Sequence, residues 1–297
     1  MRVLVLGGSG MLGHKLSQVL SEGLEVYATV RGDETEYATH PVLGRLRLVG
    51  GVCAEPFDSV ERTLERVRPD VVVNCIGLVK QRPAAQDPVA SITVNALFPH
   101  LLAQTCRQRG VRLIHVSTDC VFSGRKGNYT EQDTPDAEDL YGRTKLLGEL
   151  SGDGCLTLRT SMIGPEVGTS HGLIEWFLRQ EGRTVRGFTR AVFSGFTTLA
   201  LARVVERIIT EHTELTGLWH VAADLISKFD LLTLVKRVCG LKIEIEPDPS
   251  VVCDRSLNGT RFRVATGFEP PSWPEMIERM YRDATPYAEF RRSHAYQ

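Results

Sequence analysis

Tyr141 and Lys145 stand four residues apart in Tyr141-Gly142-Arg143-Thr144-Lys145, so on a helix they share one face. A phenol with an ordinary pKa of about 10 is a poor acid or base at neutral pH. A lysine cation beside it stabilises the phenolate and lowers that value. The same lysine can hold the ribose hydroxyls of a nicotinamide cofactor. Such a pair also arises on exposed helix surfaces, so its meaning depends on its company. Thr118 closes the segment His115-Val116-Ser117-Thr118 at a predicted strand end. There its hydroxyl can polarise a substrate carbonyl while Tyr141 supplies the proton.

A second group of residues suits phosphate. Gly7-Gly8-Ser9-Gly10-Met11-Leu12-Gly13 follows the apolar run Val3–Leu6 and precedes a helical pattern through Leu16, Val19 and Leu20. Glycine permits a tight turn and close approach to a pyrophosphate, and the helix N-terminus offers free N–H groups, here those of Met11 and Leu12. The spacing Gly7-x-x-Gly10-x-x-Gly13 therefore reads as a dinucleotide cradle. The second strand ends in Val30-Arg31-Gly32-Asp33. Arg31 can pair with a 2′-phosphate, which predicts NADPH, and Asp33 leaves NADH use open through a ribose hydroxyl. Asn74, Cys75 and Gly77 end the fourth strand and should line the cofactor. Lys80 and Arg82 follow as loop charges that face phosphate, substrate or solvent.

These residues need strands and helices to place them. Val3–Leu6, Glu25–Val30, Leu46–Val49, Asp70–Cys75, Arg112–Ser117 and Cys155–Arg159 read as strands, with helical patterns at Met11–Leu20, Val60–Val67, Ile92–Arg109 and Tyr141–Leu150. Short Val/Ile/Leu runs between helices predict an α/β, doubly wound parallel Rossmann sheet whose crevice lies at the C-terminal strand ends. Beyond Met162 the pattern loosens, with helical stretches at Leu173–Gln180, Leu199–Glu211, Lys228–Cys239 and Trp273–Arg282. We expect a dinucleotide-binding domain over 1–162, joined by 196–222 if that stretch returns to the sheet. Residues 163–195 and 223–297 then form a smaller C-terminal substrate-binding lobe.

Composition narrows the class further. The 297 residues are 42% hydrophobic and 24% charged with a net charge of −1, which gives no reason to expect nucleic acid or an acidic membrane surface. No apolar stretch is long enough to span a bilayer, and the run to Leu6 is too short for a signal segment. The seven cysteines are scattered without C-x-x-C spacing. That pattern predicts free thiols in a reducing cytoplasm, with no metal site.

Taken in order, the motifs resemble the extended short-chain dehydrogenase/reductases, and within them the dTDP-4-dehydrorhamnose reductase-like nucleotide-sugar reductases. The resemblance covers nearly the whole chain. It rests on Gly7–Gly13, Val94-Asn95-Ala96, Val116–Gly124, Tyr129-Thr130-Glu131-Gln132-Asp133, Tyr141–Lys145 with Gly148-Glu149, and Leu158-Arg159-Thr160-Ser161. Ser194-Gly195-Phe196-Thr197-Thr198 and Gly217-Leu218-Trp219-His220-Val221 complete it. The resemblance implies hydride delivery from a nicotinamide to C4 of a nucleotide-linked keto-6-deoxyhexose, with products that feed surface polysaccharide synthesis. It makes Thr118, Tyr141 and Lys145 the catalytic set, puts Ser117 and Asn95 beside the cofactor, and puts Asp119, Cys120, Arg159, Thr197 and Thr198 on the sugar-nucleotide side. Arg159 can equally serve the fold, and the two threonines can cap the helix near Leu199. Homodimers are common in the superfamily, but no sequence feature fixes an interface.

Three departures lie near the expected sugar pocket: Cys120 and Met162 replace aromatics, and Phe196 replaces a proline. Cys53 stands where relatives carry an aspartate that meets adenine. Cys120 also replaces the glutamate that dehydration requires. Two other readings stay open: an epimerase/reductase that moves protons with Cys120 and His171, and a non-catalytic NADP-binding regulatory protein similar to the regulatory subunit of methionine adenosyltransferase.

Overall fold

The computed structural model describes residues 1–80, 83–152, 154–167 and 171–287. Its first half runs β1 (Arg2–Leu6), α1 (Met11–Leu20), β2 (Glu25–Thr29), β3 (Leu48–Val49), α2 (Asp58–Val67), β4 (Val71–Asn74), α3 (Pro88–Ser91), α4 (Phe98–Gln108), β5 (Arg112–Val116), α5 (Leu140–Leu147) and β6 (Cys155–Arg159). Then follow β7 (Met162–Ile163), α6 (Leu173–Leu178), β8 (Thr184–Phe188), β9 (Ala191–Phe193), β10 (Phe196–Thr197), α7 (Thr198–Thr210) and β11 (Gly217–His220). The chain closes with β12 (Ile226–Ser227), α8 (Lys228–Cys239), β13 (Glu244–Asp248), β14 (Cys253–Asp254), α9 (Thr260–Thr266) and α10 (Trp273–Tyr281).

Seven parallel strands form the central sheet in the order β11-β6-β5-β4-β1-β2-β3. Side chains alternate across it, as strand geometry requires. Val3, Val5, Val71 and Val73 enter one core with α1 and α7, whereas Leu4, Leu6 and Val72 enter the other with α2 and α4. Each such buried side chain stabilises the fold by about 1.5–3 kcal/mol. The strand order reverses between β1 and β4, which opens the crevice of a doubly wound sheet at their C-terminal ends.

The predicted helix Ile92–Arg109 is not uniform. Between α3 and α4, Ile92–Leu97 is π-helical. Pro99 donates no N–H, and in a regular α-helix its ring would clash with the carbonyl four residues back, which the wider π turn relieves. The stretch 217–220 returns to the sheet edge as β11, in register with β6. Outside the main sheet, β8 pairs with β13, β7 with β10, and β12-β9-β14 form a small mixed sheet. Sequence periodicity did not show these strands, because five of the seven are only two or three residues long. Among the described residues no helix is long and apolar enough to cross a membrane.

Candidate active site

The glycine turn connects β1 to α1 with two positions that only glycine fills well. Gly7 has φ +83°. A Cβ on Gly13 would lie 2.1 Å from the Gly7 carbonyl oxygen, so the helix can press onto the turn only without a side chain there. Thr29 Oγ1 accepts from Gly7 N–H at 3.0 Å, which fixes the turn against β2. Gly10 is the N-cap of α1 and supplies no side-chain cap, and no acidic residue occupies the first helical turn. The N–H groups of Met11 and Leu12 thus remain free for an anion, and the helix dipole favours one. This cradle fits the pyrophosphate of a dinucleotide.

Beside the cradle, the end of β4 is braced by two amides. Asn74 Oδ1 accepts from Ile76 N–H at 3.0 Å, and its Nδ2 donates to His115 Nδ1 at 3.1 Å. Asn95 Oδ1 accepts from Leu78 N–H at 2.8 Å while its Nδ2 donates to Leu78 O at 3.0 Å. Asn95 therefore shapes the Gly77–Leu78 loop from the π-helical turn. Burial pushes the Cys75 thiol up to about 12, so it stays neutral. Arg31 is exposed, with no hydrogen bond or ion pair among the described residues. Asp33 is occupied locally: its Oδ1 accepts from the Thr35 N–H at 2.9 Å and hydroxyl at 2.6 Å. Lys80 pairs with Asp139 at 2.7 Å. Arg82 lies outside the described residues.

Thr118, Tyr141 and Lys145 come together where β5 meets α5. Asp139 caps α5 by accepting from Gly142 N–H at 2.8 Å. A Cβ on Gly142 would fall 2.3 Å from the Cys120 carbonyl, so glycine lets α5 lean on the Thr118–Cys120 loop. The Tyr141 phenol lies beside the Thr118 hydroxyl. Thr118 donates to Asp119 Oδ1 and accepts from Cys120 N–H, each at 3.1 Å. Burial, with Cys120 and Asp119 beside it, raises the Tyr141 phenol above its ordinary value, and the Thr118 hydroxyl only partly offsets this. Lys145 was expected to lower the phenol's pKa, but its ammonium is turned to the strand end and donates to Val116 O at 2.9 Å. The phenol is a retained proton source. Burial brings Lys145 itself down to about 8. Ser117 Oγ donates to Glu149 Oε1 at 2.7 Å.

The expected sugar-nucleotide residues divide into two groups. Asp119 and Cys120 line the catalytic loop. Burial raises both, Cys120 to about 12. Arg255 reaches this loop from the far lobe, its Nε donating to Phe122 O at 2.9 Å and its Nη1 to Cys120 Sγ at 3.9 Å. Sequence reasoning missed Arg255, since nothing local in Cys253-Asp254-Arg255 announces it. His171, the suggested partner of Cys120, is exposed, and the thiol's near neighbours are Thr118, Asp119 and Arg255.

Arg159, Thr197 and Thr198 have partners within the protein. Arg159 is 4% exposed and spends its guanidinium inside the protein: Nε and Nη2 donate to Glu149 at 2.8 and 2.7 Å, and Nη1 donates to His220 Nε2 at 3.3 Å. Thr197 caps α7 by accepting from Ala200 N–H at 3.3 Å. Thr198 is fully buried against Gly164.

A doubly wound parallel sheet, a glycine cradle after β1 and a Thr–Tyr–Lys set at the β5 end together define an extended short-chain dehydrogenase/reductase. Residues 1–285 match the RmlD substrate binding domain model, and the chain belongs to that family. It is 35% identical over 150 residues to a dTDP-4-dehydrorhamnose reductase of Streptomyces griseus; the match takes in 50% of this chain and 43% of that relative. A dTDP-4-dehydrorhamnose reductase of Aggregatibacter actinomycetemcomitans is 24% identical over 97% of this chain and 99% of its own length. Among solved structures, a hypothetical dTDP-4-dehydrorhamnose reductase from Sulfolobus tokodaii superposes with TM-score 0.76 at 28% identity, covering 92% of this chain and 98% of that one. The dTDP-4-dehydrorhamnose reductase from Bacillus anthracis in complex with NADP shares the fold, with TM-score 0.78 at 21% identity over 94% of this chain and 98% of that one.

Proposed function

We propose that the protein is an NADPH-dependent reductase, with NADH as a second donor, that reduces the keto group of a nucleotide-linked 4-keto-6-deoxysugar. The observation that carries this reading is the grouping of the Thr118 and Tyr141 hydroxyls with Lys145 at the β5 end, next to the glycine cradle. The names of the relatives support the substrate class. Bound NADPH would supply the hydride. Thr118 orients the ketone oxygen, and Tyr141, whose raised pKa keeps it protonated, gives its proton to that oxygen as negative charge develops. Lys145 brings a positive charge to the same strand end. Arg31 would receive the 2′-phosphate, Gly7–Gly13 the pyrophosphate, and Asp119 and Cys120 would border the sugar.

We assign the enzyme to a reducing cytoplasm, which the free thiols of Cys53, Cys75, Cys106, Cys120, Cys155 and Cys253 support. A homodimer is supported by the exposed apolar side chains of Ile92, Leu97 and Leu147 on adjoining helices. The deciding experiment follows NADPH consumption with a panel of dTDP-, UDP- and GDP-4-keto-6-deoxysugars. Turnover with one of them, lost in Tyr141→Phe, is the expected result. Tight NADPH binding without turnover on any member would overturn the reading in favour of a cofactor-binding regulatory protein.

A further inference from the structure

Moving Arg159 into the interior leaves its partner, Glu149, as a buried charge with no task yet assigned. Glu149 stands four residues after Lys145, and the two side chains dock on consecutive residues of one strand end. Lys145 Nζ donates to Val116 O at 2.9 Å, and Glu149 Oε1 accepts from Ser117 Oγ at 2.7 Å. Lys145 is 5% exposed, and Val116 O is its one hydrogen-bond acceptor among the described residues. A buried ammonium so poorly paired is costly unless a counter-charge lies close. Glu149 is held rigidly for that purpose. Arg159 grips both carboxylate oxygens, and Arg159 is itself fixed by His220, whose Nδ1–H donates to Tyr129 O at 3.0 Å.

We propose that Glu149 is a positioning residue for Lys145: clamped by Arg159 and Ser117, its carboxylate keeps the buried ammonium charged at the strand end, and Arg159 sets how much of that negative charge Lys145 feels. The surroundings agree. Burial is the leading influence on Lys145 and lowers it, and Glu149 is the leading one that opposes this. The other titratable groups facing the ammonium are Cys75 at the β4 end and His115 on β5. Both are neutral near pH 7, the thiol because burial raises it and the imidazole because burial lowers it. Glu149 is thus the one nearby group able to hold the charge in place.

The sign of each substitution follows. A lysine with a lowered pKa loses its proton as pH rises through about 8. Glu149→Gln removes the opposing charge and moves that midpoint down by about one pH unit. Arg159→Gln leaves Glu149 uncompensated and moves it up. A purely structural weakening would move both the same way. The test is a ¹³C NMR titration of lysine Cε signals in the protein without cofactor, with the Lys145 signal assigned by its loss in Lys145→Met. Breaking a buried pair can prevent folding, so the neutral double variant Glu149→Gln/Arg159→Met is titrated as well. It should titrate above Glu149→Gln, since the repelling Arg159 charge is gone as well, and below Arg159→Gln. An unchanged midpoint in Glu149→Gln, a double variant that titrates no lower than Arg159→Gln, or shifts of one sign in both single variants, overturns the proposal. The part Lys145 plays in catalysis rests on the reductase reading, but this titration does not. Shifted midpoints in a protein that reduces no keto sugar would uphold the clamp and sink the reading.

Discussion

His14 on α1 and Tyr287 near the C-terminus, 273 residues apart in sequence, share a buried hydrogen bond of 2.7 Å. His14 Nδ1 donates to the Gly10 carbonyl at 2.8 Å, so Nε2 accepts from the phenol. Next along the helix, Lys15 pairs with Asp283 at 2.5 Å and donates to Thr285 at 2.8 Å. The segment 283–287 is thereby fastened to the helix that follows the glycine turn. Tyr287→Phe leaves a buried imidazole nitrogen without its donor. Urea denaturation should show a loss of about 1–3 kcal/mol. Stability equal to the parent would show that the bond contributes nothing.

The same histidine makes the fold sensitive to acid. Burial lowers both His14 and His220 from 6.5 to about 4, so each is neutral in the folded protein. The unfolded chain takes up these protons below pH 6.5, whereas the folded chain does so only near pH 4. Stability should therefore fall progressively as pH drops from 6.5 to 4. Thermal unfolding midpoints recorded across this window test the point, and a flat profile would contradict it.

Two glycines of one turn should respond differently to the same change. A methyl at Gly13 would meet the Gly7 carbonyl oxygen at 2.1 Å, and a methyl at Gly10 would meet it at 3.2 Å. Gly13→Ala must push α1 off the turn, so NADPH binding should weaken at least ~100-fold. Gly10→Ala should cost less than about tenfold. Fluorescence titration with NADPH measures both, and equal losses would remove the close helix–turn contact from the explanation.

Arg31→Ala separates the two cofactors. Arg31 is exposed and unpaired among the described residues, free to meet a 2′-phosphate that only NADPH carries. The Michaelis constant for NADPH should rise about tenfold or more, with that for NADH nearly unchanged. Equal effects would take Arg31 out of this role.

Thr197→Ala separates the capping role of that residue from a substrate role. As the N-cap of α7, Thr197 should contribute about 1 kcal/mol to stability. The Michaelis constant for the sugar nucleotide should stay put. A raised constant with unaltered stability would restore Thr197 to the substrate side.

Much of this architecture was readable because local pattern and fold agree. Val3–Leu6, the glycine turn and the Leu16–Leu20 stripe each demand the element they form. The Tyr141–Lys145 spacing placed both side chains on α5 with Thr118 nearby. Direction was harder to read than location. A charge in Arg159 suggests a ligand, but β6 is buried along its whole length, which turns the same charge into a structural clamp. Partners distant in sequence left no trace in spacing: Arg255 at Cys120 and Tyr287 at His14 depend on how the second half of the chain folds back. The π-helical turn before Pro99 was hidden because apolar periodicity looks alike in α and π geometry.

The place of β11 has a consequence for how the molecule is made. The central sheet takes its seventh strand from residues 217–220, after the chain has already laid down β7 through β10 and α7. During synthesis the sheet edge at β6 stays open until that strand leaves the ribosome, so a nascent chain already carrying Thr118, Tyr141 and Lys145 still exposes an unpaired edge. Arg159, at the end of β6, lacks His220 for the same interval, and the clamp around Glu149 is among the last parts of the site to assemble.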